Sequence, residues 1–167
     1  RYVRENSRVP VIETGAGVCH IYVEKEADLK KAVDIVVNAK VSRPSVCNSV
    51  DAILIDEKIA PAFLEKLKPQ MDTYDVEIFA DKKAYRLLKG YPNLELAKAE
   101  DFGREFLSLK CAIKIVKDTD EALQHIQKYS TKHSEAIVSE NKKQCARFLK
   151  EVDAAAVYSN ASTRFTD

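Results

Sequence analysis

Cys47 stands in the short segment Arg43-Pro44-Ser45-Val46-Cys47-Asn48. Pro44 fixes its own φ and pushes Arg43 out of the helical region, so the chain must turn here. A thiol held between the end of a helix and the start of a strand sits on a rigid frame, which is what a nucleophile needs. A lone cysteine is more often buried filler, because free cysteine is among the most buried residue types. The Arg-Pro before it and Asn48-Ser49 after it argue against burial, and the loop alone leaves both readings open. A second capable set lies at Asn160, Ser162, Thr163 and Arg164, which offers an amide, two hydroxyls and a guanidinium within five residues. A guanidinium can hold a carboxylate or phosphate through two parallel bonds. The plain alternative for this set is a solvated segment.

No base for the cysteine is evident. His20 alternates within an apolar strand, His125 lies within a helical pattern, and His133 follows Lys132 in a loop. The first two are ordinary packing or surface positions. Thiolate character at Cys47 would then come from Arg43 or from backbone N–H groups. A cysteine hydrolase is disfavoured for the same reason. The four cysteines, Cys19, Cys47, Cys111 and Cys145, lack C-x-x-C spacing. They read as free thiols of a reducing, cytoplasmic compartment. Three histidines and four scattered cysteines form no ligand pair, so no metal is expected.

The elements that must position these residues follow from periodicity. A stretch of 167 residues is one domain by size, long enough to bury a core without staples. Its 27 basic and 26 acidic residues leave a net charge of +1 with no basic face, so nucleic acid is not indicated. No run approaches the roughly 18 apolar residues that span a bilayer, and no signal peptide is expected. Two short apolar runs, 9–12 and 18–23, flank the turn Glu13-Thr14-Gly15-Ala16-Gly17, whose glycines suit a close backbone approach. Residues 27–40 repeat apolar positions at helical spacing through Leu29, Ala32, Val33 and Val36. Ala52-Ile53-Leu54-Ile55 is a continuous apolar strand, suited to a sheet covered on both faces.

A helix over 58–70, a strand over 76–79 and a short helix over 81–89 follow, then irregular chain from 90 to 108. Leu109 to Val116 is a strand with Leu109, Cys111, Ile113 and Ile115 on one face. Asp118 to Glu121 caps a helix running to Tyr129. A strand over 136–138 precedes a helix over 141–151 with Cys145, Phe148, Leu149 and Val152 as its core stripe. The last strand is 154–158. This alternation predicts an α/β layered domain with a mostly parallel sheet. Sites of such sheets lie at the carboxyl ends of strands. The Glu13 turn, the segment beyond Tyr158 and the Ser130-to-Glu135 region are the polar stretches that could converge there. The Cys47 loop precedes its strand instead.

Five stretches together resemble one family. They are Val9 to Val23, Val36 to Lys40, Arg43 to Asn48, Lys128 to Val138 and Asp153 to Asp167. In this order they are similar to the gamma-glutamyl phosphate reductases, also called glutamate-5-semialdehyde dehydrogenases, of the aldehyde dehydrogenase superfamily. The resemblance implies reduction of L-glutamyl 5-phosphate by NADPH to L-glutamate 5-semialdehyde and phosphate in proline biosynthesis. It implies that residues 1–167 are the catalytic domain of the aldehyde dehydrogenase fold, with the cofactor-binding domain outside this chain. Cys47 would be the nucleophile that forms a thioester, with its backbone N–H toward the oxyanion. Glu13, 34 residues before Cys47, matches by spacing the general base of hydrolytic relatives. A reductase needs no such water, so Glu13 would line the cofactor side. Asn160, Ser162, Thr163 and Arg164 would bind the substrate. The chain alone would then be inactive, and a non-catalytic association domain is the alternative. The family's oligomerisation segment leaves a homo-oligomer open, and no membrane is implicated.

Overall fold

The chain alternates strand and helix because its apolar positions alternate between period two and period 3.6. A computed structural model describes residues 5–9 and 16–166. The strands are β1 Cys19–Val23, β2 Val50–Asp56, β3 Glu77–Ala80, β4 Leu94–Leu96, β5 Lys110–Val116, β6 Ser134–Val138 and β7 Ala156–Ser159. The helices are α1 Leu29–Val41, α2 Ala60–Asp72, α3 Lys82–Leu87, α4 Thr119–Tyr129 and α5 Lys142–Glu151, with a 3₁₀ turn at Ala99–Gly103. The strands form one sheet in the order β4-β3-β5-β2-β1-β6-β7, every pair parallel. Parallel neighbours need crossovers, which the helices supply. The expected α/β layering holds, and among the described residues no helix is long and apolar enough to cross a membrane.

Strand alternation divides the core in two. Ile21, Val23, Ile53, Ile55, Ile113 and Val138 pack with α1, α2 and α3 through residues such as Val36, Phe63, Leu67 and Ala84. Tyr22, Leu54, Ile137 and Val116 pack on the other face with Ala122, Ile126 and Phe148 of α4 and α5. Among the described residues, four of the five α-helices named above start on a side chain that accepts from the first turn: Asp28, Asp81, Asp118 and Asn141. Such caps satisfy amides that no helical carbonyl reaches.

Three expectations need correction. Residues 90–108 are not wholly irregular, for β4 pairs Leu94 with Ile78 and Leu96 with Ala80 at the sheet edge. It is three residues long, with Leu96 half exposed, so no alternation marks it. The 3₁₀ turn in the same stretch buries Phe102 and Asp101. Leu149 is exposed rather than part of the α5 stripe. Helix α5 lies over β6 and β7, at the end of the sheet, and only a narrow face is covered. The polar Ser130-to-Glu135 region enters β6 at its amino end, not after a strand. The apolar run after Val9 lies outside the described residues, and Val9 itself is exposed.

His125 of α4 packs edge-on against His20 and Phe102 and near Tyr129. Burial first, and the neighbouring His20 second, pull its imidazole down from 6.5 to about 3. Between those values the unfolded chain binds a proton that folded His125 refuses. Stability therefore rises with pH across this window. Asp51, pushed up from 3.8 to about 6, works in the opposite direction but over a narrower gap. Urea titrations at pH 6.5 and pH 4 should show the loss on acidification reduced in His125→Phe, by up to about 3 kcal/mol. An equal loss in both proteins would mean that His125 does not carry the acid limb.

Candidate active site

Cys47 follows α1 and precedes β2, so it lies at the amino edge of the sheet and is exposed. Cys19, Cys111 and Cys145 are buried. Burial raises the Cys19 and Cys145 thiols above their ordinary range and pushes Cys111 up to about 12. The loop closes on itself, with the Ser49 amide donating to the Val46 carbonyl at 3.0 Å. The Ser49 hydroxyl donates to the carbonyl of Ala39 in α1 at 3.3 Å.

The residues entering β1 form the wall behind Cys47. A methyl at Gly17 would stand 2.0 Å from the Cys47 carbonyl oxygen and 3.0 Å from its Cα. Position 17 must therefore be glycine for the two backbones to meet as they do. The Cys19 thiol donates to the same carbonyl at 3.2 Å. Three side chains distant in sequence grip this entry segment. Glu105 accepts from the Gly17 amide at 2.8 Å, Thr131 from Val18 at 2.9 Å, and Glu135 from His20 at 2.8 Å. Glu135 is fully buried and also meets His20 Nδ1 at 3.1 Å and the Ser130 hydroxyl.

The carboxyl-terminal set divides. The Arg164 guanidinium donates from Nη1 to the side-chain oxygen of Asn48, the residue after Cys47. Its amide donates to the Ser162 hydroxyl at 3.2 Å. Thr163 is fully buried, and its hydroxyl meets no partner among the described residues. Asn160 is elsewhere. Its amide group accepts from the Ser139 N–H at 3.0 Å and donates to the Ser139 carbonyl at 2.9 Å, beyond the carboxyl end of β6. Asn160 has a φ of 54°, a left-handed turn that asparagine tolerates. The chain doubles back from it, and Tyr158 packs edge-on against Phe165 and bonds Thr166 at 2.8 Å. Asn160 thus builds the turn, and Arg164 reaches the cysteine loop. Glu13 lies outside the described residues.

Sequence reasoning singled out the Ser130-to-Glu135 region without giving Thr131 or Glu135 a role, and it missed Glu105 and the buried pair Lys40 and Asp51. Three of these five carried a signal, a charge at an inward position of an apolar pattern. Lys40 ends the buried stripe of α1, Asp51 alternates with Ile53 and Ile55, and Glu135 lies inside a buried strand. Among the described residues no cluster of three or more histidine, cysteine or carboxylate side chains is placed to hold a metal.

Comparison with known proteins places the whole arrangement. The model of the aldehyde dehydrogenase family matches residues 4–84. A gamma-glutamyl phosphate reductase of Clostridium kluyveri is 53% identical over 165 residues, covering 99% of this chain and 39% of that protein. The crystal structure of gamma-glutamyl phosphate reductase from Thermotoga maritima superposes with a TM-score of 0.90 at 48% identity, over 99% of this chain and 39% of its own. Over almost its whole length the chain is similar to part of gamma-glutamyl phosphate reductase. An acetylating aldehyde dehydrogenase of Geobacillus thermoglucosidasius shares the fold at 21% identity, with a TM-score of 0.74 over 98% of this chain and 44% of its own. The chain spans 39% of the length of the curated relatives it matches.

Brief iodoacetamide treatment of the folded protein, read by peptide mass spectrometry, should label Cys47 before the other three thiols. Labelling led by Cys19, Cys111 or Cys145 would remove Cys47 as the accessible nucleophile. In Gly17→Ala the new methyl must push the Cys47 backbone away. It should cost about 1–3 kcal/mol in urea unfolding, the usual range for overpacking.

Proposed function

We propose that this chain is the cysteine-bearing catalytic domain of an NADPH-dependent gamma-glutamyl phosphate reductase. The reaction is conversion of L-glutamyl 5-phosphate to L-glutamate 5-semialdehyde and phosphate, a step toward proline. What carries the reading is the contact of Arg164 with Asn48, which puts a guanidinium beside an exposed cysteine. An electrophile bound there would meet a nucleophile and an anion-holding fork together.

The Cys47 thiolate attacks the acyl carbon of the mixed anhydride. A C–S bond forms, the C–O bond to phosphate breaks, and phosphate leaves with the electron pair. Sulfur suits this step because it is both a strong nucleophile and a workable leaving group. The Cys47 N–H lies next to the oxygen that gains charge as the carbonyl is attacked. Arg164 holds the α-carboxylate or the phosphate, with the Ser162 and Thr163 hydroxyls in the same turn. Bound outside the described residues, NADPH would supply a hydride to the acyl carbon, and the C–S bond would break to release the aldehyde and return the thiol. The described residues do not fit a pyrophosphate seat. Helix N-termini are the usual anion sites, and four of the five here are already closed by Asp or Asn side chains. No step is therefore assigned to NADPH on this chain's described residues.

In the full-length protein, Cys47→Ser should abolish semialdehyde formation. Arg164→Ala should lower kcat/KM for the phosphorylated substrate by about 2–5 kcal/mol, the cost of truncating one partner of a desolvated charge pair. Arg164→Lys should recover only part, because lysine keeps the charge without the fork. An unchanged kcat/KM in Arg164→Ala would end the substrate-anchor assignment. Calorimetry on the 167-residue chain should detect no micromolar NADPH binding.

A further inference from the structure

Lys40 is the penultimate residue of α1 and Asp51 the second residue of β2, so the two bracket the whole Cys47 loop. Their side chains are buried, and Lys40 Nζ stands 3.6 Å from Asp51 Oδ1. Each also holds the segment that follows the 3₁₀ turn. Lys40 donates to the Ser108 carbonyl at 3.3 Å, and Asp51 accepts from the Phe106 amide at 3.1 Å. The next residue toward the amino terminus, Glu105, grips Gly17, whose backbone meets Cys47. The contacts close a ring: Lys40 to Asp51, Asp51 to Phe106, Glu105 to Gly17, Gly17 to Cys47.

The pair is poorly explained as a source of stability. Burial dominates both groups, pushing the Asp51 carboxyl up to about 6 and the Lys40 ammonium down despite each other's charge. Apolar residues of similar volume often replace such pairs without loss, so retention at one place in a fold asks for another reason. The place here is the base of the nucleophile loop, the only connection in which both ends carry a mutual buried ion pair among the described residues.

We propose that Lys40 and Asp51 are positioning residues for Cys47. They cross-link the two ends of its loop and, through residues 105–108, lock that loop to the Gly17 wall. Neither touches the substrate in this scheme. The proposal rests on Cys47 being the nucleophile of the acyl-phosphate reaction, and the test separates the two ideas.

The test uses the full-length protein with Lys40→Met, Asp51→Asn and the double variant Lys40→Met/Asp51→Asn. The double variant leaves no uncompensated buried charge if a single variant fails to fold. Hydrogen exchange should lose protection at the Ser49 amide and around residues 16–18 and 105–108, with the β5 and β6 amides protected as before. Steady-state kinetics should show kcat reduced roughly 10–100-fold, the cost of about 1 Å of misplacement, with KM within about twofold. Lys40→Arg should restore part of kcat. Loss of protection spread evenly over the sheet would overturn the proposal, since the pair would then be a general core contact. Unchanged exchange at Ser49 together with unchanged kcat would overturn it as well. A wild-type protein without acyl-phosphate turnover would defeat the functional reading alone, and the exchange pattern would still decide the positioning role.

Discussion

No side chain fits at position 17. The Cys47 carbonyl occupies the space where a β-carbon would be, and the fit transmits the geometry of β1 to a loop that otherwise hangs between a helix and a strand. Loops are usually the mobile part of a fold. This one is backed by a strand entry whose amides at Gly17, Val18 and His20 are held by the side chains of Glu105, Thr131 and Glu135. Each grip joins residues 88, 113 or 115 positions apart in sequence, so the loop is fixed only when the sheet is assembled. The candidate site and the fold are therefore one cooperative object, and the frame around Cys47 is set before any ligand arrives.

Much of the fold was legible because apolar period reports burial. Ile53 and Ile55 against Leu54, and Cys111, Ile113 and Ile115 against Lys110 and Lys114, divide between the two faces as their alternation predicts. The caps at Asp28, Asp118 and Asn141 act within three residues of themselves, so local sequence contains them. The edge strand β4 was not legible, because pairing with β3 and not its own pattern makes it a strand. Leu149 failed for a related reason, since helical spacing gives a face but not how much of it the sheet covers. At the candidate site the loop left the exposure of Cys47 open, and the thiol is exposed although its polar neighbours Asn48 and Ser49 are buried. The partners were not legible, because nothing local ties Glu105 to Gly17 or Asn48 to Arg164. The inward charges at Lys40, Asp51 and Glu135 were the readable clue. Such residues are rarely buried without a partner, and the partner is set by topology.

The position of the thiol poses an electrostatic problem that the end of the chain answers. Open α/β sheets usually bind ligands at the carboxyl edge, where helix N-termini favour anions. Cys47 lies at the amino edge, just after the carboxyl-terminal end of α1. The helix dipole there carries negative partial charge and, on the proposed function, would oppose both a thiolate and an anionic substrate. A cation must be brought in, and β7 points the wrong way, leaving the sheet at the carboxyl edge. The reversal at Asn160 resolves this. Its left-handed backbone and its two hydrogen bonds with Ser139 turn the chain back, and Arg164 returns to the cysteine loop at Asn48. Asparagine suits the turn because it tolerates positive φ and carries both a donor and an acceptor. Asn160 and Arg164 are thus linked parts of one device, the first fixing the path and the second delivering the charge that the amino edge of a parallel sheet lacks.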